Sequence, residues 1–235
     1  FNKSFQPSGL YSLSGDNFNY FSVYYDLNLP KINLFGEASY NGTSVASING
    51  IQFSASRDLI FTSSVRSYPR NFNSLYGFGF SETSGKIKNE VGMYSGLKWK
   101  TSLGIINLYY DIFNFPYRTN SNSLSSQGDE FLLDYLTASF NKFEFRFRYK
   151  YENKEVTELI ELNDEIVRRL RQSFRTEFIF YLSKDLRLKT RIEYNHFFIK
   201  DAGSKENGFL IFQDVRFAPI KIINLYGRII FFQTD

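Results

Sequence analysis

Cysteine is absent from the sequence, and histidine occurs once, as His196. Without thiols the chain can form no disulfide, no thiolate metal site and no cysteine nucleophile. Long apolar runs are also absent, because no segment approaches the roughly 20 apolar residues of a membrane-spanning helix. Aromatic residues are abundant instead, at 19 % of the chain with 27 Phe and 17 Tyr, so rings must form a large share of any apolar surface.

Catalytic signatures are missing as well. A hydrolase needs a base beside a nucleophile or an acid, but His196 shares the parity of Ile192 and Tyr194 and is expected on an apolar face. The Gly77-Phe78-Gly79 turn lacks the third glycine and the following helix of a phosphate-binding loop. We therefore predict that the chain is not an enzyme and has no catalytic residue, cofactor or metal site.

A two-residue alternation runs through KFEFRFRYKYE, residues 142–152. Since neighbouring residues of a β-strand point to opposite faces, this segment predicts a strand with one aromatic and one charged face. The same period recurs along the chain and predicts an all-β, antiparallel up-and-down meander of about twelve strands. The predicted strands are 18–29, 32–41, 44–54, 58–67, 87–99, 102–114, 129–140, 143–153, 168–183, 186–199, 208–218 and 220–233.

The connections between these strands alternate in length. Short turns are predicted at 30–31, 56–57, 100–101, 141–142, 183–185 and 218–219, and long polar loops at 68–86, 115–128, 154–167 and 200–207. Asn41-Gly42, a tight hairpin signal, is the short member of the second set. Outer-membrane barrels have short turns at one end and long loops at the other, so the pattern favours a transmembrane β-barrel. Apolar residues in 154–166 indicate that this segment is ordered, as a hairpin or a short helix.

The two faces predict the environment of the sheet. In a membrane barrel the apolar face meets lipid and the charged face lines the lumen, and no other elements are predicted that could cover so much aromatic surface. Trp99 and Tyr68 lie at strand ends, where interfacial aromatic residues gather. The residues predicted to face lipid or to form the aromatic girdle are Phe143, Phe145, Phe147, Tyr149, Phe174, Phe178, Phe180 and Trp99.

The polarity of the turns predicts that the chain is a piece of a larger barrel. If the short turns are periplasmic, both predicted ends of the sheet lie outside the cell, whereas bacterial barrels normally begin and end in the periplasm. We therefore expect residues 1–235 to form a single barrel domain that lacks flanking strands, with about fourteen or more strands in the parent.

Three segments carry a resemblance to a known family: RNFNSLYGFGFSE (70–82), LSKDLRLKTRIEY (182–194) and KENGFLIFQDVRF (205–217). Through them the chain resembles the barrel region of Bacteroidetes-type outer-membrane proteins that carry an N-terminal helix-hairpin-helix segment related to competence DNA receptors. The resemblance implies a barrel fold and the outer membrane of a Gram-negative cell. The helical segment of that family has no counterpart in this sequence, so the resemblance places no DNA-related role on any residue here.

A basic wall is the strongest functional feature of the charged face. It could favour anionic solutes, because charge lining sets pore selectivity, or its cations could pair across strands with carboxylates and hold the register. The aromatic residues are predicted on the opposite face, which argues against nucleic-acid binding by this segment. The predicted wall consists of the cations Arg146, Arg148, Lys150, Arg171, Arg175, Arg187, Lys189 and Arg191, with the lumen acids Glu144, Glu152, Glu177 and Glu193 among them.

Three functions remain open at the level of sequence. The chain is expected to act as a porin-like outer-membrane channel for small or anionic solutes. It could instead be a structural or assembly component that works through its 68–86 and 154–166 loops, or a soluble β-sheet binding protein. The expected partners are outer-membrane lipid and other outer-membrane or periplasmic proteins.

Overall fold

The computed structural model describes residues 10–13, 15, 17–74, 77–83, 85–138, 142–160, 163–200, 203–220 and 222–235. These residues contain twelve β-strands, and their order in the sheet is their order in the chain. The predicted all-β, up-and-down antiparallel fold with about twelve strands is therefore confirmed. The strands are β1 (Phe21–Asn28), β2 (Ile32–Tyr40), β3 (Val45–Ser54), β4 (Leu59–Tyr68), β5 (Glu90–Thr101), β6 (Gly104–Phe115), β7 (Ser126–Thr137), β8 (Phe143–Ile160), β9 (Asn163–Tyr181), β10 (Leu186–Ile199), β11 (Ser204–Ile220) and β12 (Ile223–Thr234).

Two predicted loops are wrong. The 154–167 segment is mostly strand, because β8 continues to Ile160 and β9 begins at Asn163, giving strands of 18 and 19 residues. Since β8 and β9 are neighbours in the sheet, the prediction that this segment is ordered as a hairpin is confirmed. Residues 161–162 lie outside the described part of the chain. The 200–207 loop is also shorter than expected, since β11 begins at Ser204. The remaining long connections are 69–89 and 116–125, close to the predicted 68–86 and 115–128.

The chain divides into two compact units. Unit 1 comprises residues 1–96, 110–129 and 154–167, and unit 2 comprises residues 97–109, 130–153 and 168–235.

Unit 1 contains the first four strands in continuous antiparallel register. Phe21 pairs with Tyr40 in β1 and β2, and Tyr40 pairs with Val45 in β2 and β3. The turn between β2 and β3 is the tight hairpin that the sequence predicts. The Asn41 side-chain oxygen accepts hydrogen bonds from the Thr43 and Ser44 amides at 3.2 and 2.9 Å. This Asx-type turn closes β2 onto β3 and thereby fixes their register.

The small apolar core of unit 1 lies between the sheet and the 69–89 connection. Ala46 of β3 and Tyr68 of β4 pack with Phe72, and Ile87 lies against them. The Tyr68 hydroxyl donates to the Phe80 carbonyl at 3.1 Å. Tyr68 ends β4 as the sequence predicts, but it is buried beneath the connection, so its expected place in an interfacial aromatic girdle is wrong.

Unit 2 contains the registered strands β9 to β12. In β10, Arg191 lies opposite Glu177 of β9, and Glu193 lies opposite Arg175. One residue further along each strand the other face begins, where Tyr194 pairs with Phe174 of β9 and Phe209 of β11. The alternation read from the sequence therefore becomes two chemically distinct faces.

Candidate functional site

Carboxylates form the base of the charged face in unit 2. Asp134 of β7 accepts hydrogen bonds from Arg146 and Arg148 of β8, at 2.9 and 2.6 Å. In the same way, Glu177 lies 3.2 Å from the Lys189 ammonium and 2.5 Å from the Arg191 guanidinium. Each of these acids thus bridges two cations, an arrangement that links neighbouring strands through charge-assisted hydrogen bonds.

The rest of the wall is paired in a similar way. Lys150 lies 2.9 Å from Glu130 and 2.7 Å from Glu152, and Glu152 also lies 3.8 Å from Arg171. Arg175 donates to Glu193 at 2.8 Å. The structure therefore contains the cross-strand pairing that was one of the two interpretations of the basic wall.

Two predicted wall residues stand apart from these pairs. Among the described residues, neither Arg187 nor Glu144 has an oppositely charged group within ion-pair distance, and the Arg187 Nε is buried without an acceptor. The sequence prediction missed two carboxylates of the charged face, Glu130 and Asp134. Glu130 pairs with Lys150, and Asp134 pairs with Arg146 and Arg148. Their strand also places Leu132 on the charged face, so the alternation in 129–140 did not reveal them.

In these ion pairs the cation side chains are more exposed to solvent than the carboxylates. The Asp134 side chain is 5 % exposed, whereas its partners Arg146 and Arg148 are 42 % and 32 % exposed. Arg171 is 52 % exposed above Glu152, which is 14 % exposed. A solute that approaches this face therefore meets guanidinium and ammonium groups before it meets carboxylates. Beside Arg148, Lys150, Arg171 and Arg175 the face contains a cleft of about 340 Å³.

An aromatic ring lies on the charged face of unit 2. Phe212 of β11 pairs with Arg191 in the register and is 7 % exposed. Its ring centroid lies 5.0 Å from the Arg191 guanidinium and 4.6 Å from that of Arg228, within cation–π range. The expectation that aromatic residues and cations occupy opposite faces is therefore wrong here. Phe212 is one letter of the apolar run GFLIF, which hides the alternation.

The apolar face of unit 2 is exposed. Phe174, Phe180 and Tyr194 are 38 %, 40 % and 40 % exposed. The rings touch one another along neighbouring strands, with Phe143 5.0 Å from Phe180 and Tyr149 4.8 Å from Phe174 between centroids. The predicted lipid-facing residues Phe145, Phe147 and Phe178 are partly exposed, and Trp99 in β5 is 47 % exposed.

A second charged centre, absent from the sequence prediction, lies in unit 1. The Arg66 guanidinium donates to Glu90 at 2.5 Å and to both oxygens of Asp111 at 2.7 and 3.0 Å. Arg66 is 2 % exposed and Glu90 is fully buried. Arg66 belongs to β4, Glu90 to β5 and Asp111 to β6. Each lies near the end of its strand that joins a long connection.

This centre holds the 69–89 connection against the sheet. The Glu82 amide donates to the two oxygens of Glu90 at 3.1 and 3.0 Å. The Arg66 guanidinium lies 4.9 Å from the Phe80 ring centroid, and Glu82 forms an ion pair with Lys154 of β8. The connection is thus tied to the same charges that tie β4, β5 and β6 together.

His196 has an ordinary structural partner. Its Nδ1 lies 2.9 Å from the Asn207 side-chain oxygen on the apolar side of β10 and β11. In the described residues, no group of three or more His, Asp or Glu side chains could hold a metal ion. None of the described segments forms an apolar helix of membrane-spanning length.

Comparisons with known proteins give a distant structural likeness. No protein-family model matches the chain, and no curated protein matches it. One similar solved structure is in-vitro folded OmpT, an outer membrane protein of Vibrio cholerae in a trimer form. That protein is 9 % identical, and the match covers 94 % of this chain and 82 % of that chain with a TM-score of 0.47.

Proposed function

We propose that the chain is an outer-membrane β-barrel protein whose apolar face meets lipid. One observation carries the proposal: burial is inverted relative to a protein dissolved in water. Glu90, Asp134 and Glu177 are buried, while Phe174 and Phe180 are exposed. Ionised side chains are almost never buried unless paired, and large contiguous apolar patches are rare on soluble proteins. The buried carboxylates are each paired with a cation, and lipid around the apolar face explains why its rings need no protein cover.

The strand lengths fit this environment. A bilayer is crossed by about 9–11 residues of a tilted strand, and β5, β6 and β7 have 12 residues each. β8 and β9 are longer, with 18 and 19 residues. In the proposed barrel, their paired ends project beyond the membrane on the side of the long connections, which is the outer side in bacterial barrels.

We further propose that the charged face lines an aqueous interior that favours small anionic solutes. The support is the order of exposure within the ion pairs, where Arg146, Arg148 and Arg171 stand above carboxylates that are more buried than they are. Fixed charge at a pore wall concentrates ions of the opposite sign. Since the acids lie deeper, the field at the solvent boundary is that of the cations.

Planar-bilayer recording tests this proposal. The wild-type chain should conduct with a reversal potential that indicates anion preference. Arg171→Gln removes the most exposed wall cation and leaves Glu152 paired with Lys150, so it should reduce that preference. Arg57→Gln, in the short turn before β4, removes the same charge away from the wall and should have no effect. Conductance with cation preference would contradict the proposal.

A structural or assembly role is the second candidate. The observation that favours it is the 69–89 connection, which is tied through the Glu82 amide to Glu90 and exposes Phe78 to solvent. If the folded chain is silent in bilayers and its loss weakens the outer membrane, this role replaces the channel. From the sequence, this role was also expected to use a loop at 154–166. These residues lie mostly in β8 and β9 and are therefore not a loop.

A soluble binding protein makes a different prediction. Its apolar face would need a covering layer, whereas Phe209, Phe217 and Leu225 of unit 2 are exposed. Such a protein would stay monodisperse after detergent removal. We expect aggregation instead, together with heat-modifiable migration in detergent gels while the sheet is folded.

A further inference from the structure

A basic cleft lies among the connections of unit 1, and none of its lining residues belongs to the basic wall. Its volume is about 290 Å³. One wall is formed by Thr83, Lys86, Lys88 and Asn89 of the connection between β4 and β5, another by residues 118–121 after β6, and a third by Leu10 and Tyr11. Three cations, Lys86, Lys88 and Arg118, line the same cleft.

Asn89 holds two of the walls together. It is 5 % exposed and adopts a left-handed backbone conformation with φ of 52°. Its side-chain nitrogen donates to the Tyr117 carbonyl at 2.7 Å, and its oxygen accepts from the Tyr117 amide at 3.1 Å. This two-point contact fixes Arg118 relative to Lys88, so the cleft does not need a ligand to bring its cations together.

The segment after Arg118 is also held in place. The Thr119 hydroxyl accepts hydrogen bonds from the Ser121 and Asn122 amides at 3.3 and 3.1 Å. The Asn122 side chain donates to the Glu155 carbonyl at 3.0 Å, which attaches the turn to β8. A preformed site loses less conformational entropy when it binds a ligand.

Among the residues that the structure describes, the cations of the cleft have no close counter-charge. In the described ranges, none of Lys86, Lys88 and Arg118 has a carboxylate within 4 Å, unlike most cations of the basic wall. Lys88 is half-buried and donates to the neutral Leu10 carbonyl at 3.2 Å. Burial lowers the pKa of the Lys88 ammonium, and the nearby Lys86 charge lowers it further. An anion in the cleft would relieve both effects.

We propose that this cleft binds a phosphate group, with Lys86, Lys88 and Arg118 as its charged donors. A phosphate carries up to two negative charges and presents several acceptor oxygens to donors on different walls. Arginine provides a planar fork that matches two of those oxygens, while lysine acts as a point charge. The phosphate belongs either to a soluble phosphorylated compound or to a lipid headgroup of the outer leaflet.

Two probes separate these sources. In the first, calorimetry measures inorganic pyrophosphate binding to the full chain in zwitterionic detergent. In the second, nanodiscs that contain either bisphosphorylated lipid A or its dephosphorylated form report how much lipid the protein retains. Saturable pyrophosphate binding assigns a soluble ligand, and retention that requires lipid A phosphate assigns a headgroup.

The variants Lys88→Gln and Arg118→Gln should each weaken binding of the effective probe about tenfold or more, because each removes a charged hydrogen bond. Lys86→Gln, at an exposed position, gives a third variant that leaves the walls intact. Arg57→Gln, in a turn between β3 and β4, should bind like the wild type. Raising the salt concentration should weaken binding further.

The proposal is overturned if neither probe binds, or if the three cleft variants bind as tightly as the wild type. Circular dichroism of each variant must retain the strand signal for its binding result to count. Since the pyrophosphate measurement needs no bilayer and no conductance, its outcome is independent of the proposed channel.

Discussion

The fully buried Glu90 carboxylate accepts a hydrogen bond from the Arg66 Nε at 2.5 Å. Removal of one partner of a buried ion pair leaves an uncompensated charge, which typically costs about 3–5 kcal/mol. Arg66→Met should therefore lower the free energy of unfolding by about that amount, since Asp111 is left unpaired as well. Denaturant titration of the refolded chain measures the change.

A matched pair at the sheet edge gives the control. Arg228 and Asp214 also lie 2.5 Å apart, but the Arg228 side chain is 54 % exposed. Exposed pairs contribute little to stability, so Arg228→Met should leave the unfolding midpoint unchanged. Equal losses for the two variants would show that burial does not set the strength of these pairs.

Gly104 provides a test of backbone packing in unit 2. It begins β6 with φ of 152°, and a Cβ there would lie 2.2 Å from the Leu136 carbonyl oxygen. Because that contact is with backbone, Gly104→Ala should destabilise the fold by about 1–3 kcal/mol. Gly227→Ala in β12 would meet nothing within 4 Å and should stay close to wild type in the same titration.

Asp134 should control the charge of the wall. Asp134→Asn leaves Arg146 and Arg148 without their shared carboxylate, so the proposed pore should become more selective for anions. The reversal potential in a salt gradient measures this shift. Asp58→Asn removes the same charge from the turn before β4 and should give the wild-type value, while a shift toward cations in Asp134→Asn would count against the wall as the selective element.

The alternation of the sequence was sufficient to predict the strand count and the charged face. It predicted Arg146, Arg175, Glu177 and Arg191 on one side because each has apolar neighbours along the chain. It failed in 154–167, where β8 and β9 continue without a clean apolar side. In the proposed barrel this part lies beyond the membrane, so both faces meet water and the two-residue period loses its cause.

Long-range partners were beyond the reach of the pattern. Arg66, Glu90 and Asp111 come from three strands, and only the register of those strands brings the charges together. The cleft around Lys88 and Arg118 likewise depends on the Asn89 contact with Tyr117. A two-residue alternation assigns each residue to a face of the sheet. It does not indicate which residues of distant connections contact each other.

The placement of lipid on the apolar face is tested most directly with a single fluorophore. Trp99 is the one tryptophan, so Trp99→Phe permits a new tryptophan at Phe178 on the apolar face or at Ile179 on the charged face. Bilayers with bromine on the acyl chains should quench the Phe178→Trp emission strongly. Aqueous iodide, and not the brominated lipid, should quench the Ile179→Trp emission. Quenching of Phe178→Trp by iodide alone, with no effect of bromine, would contradict the membrane assignment.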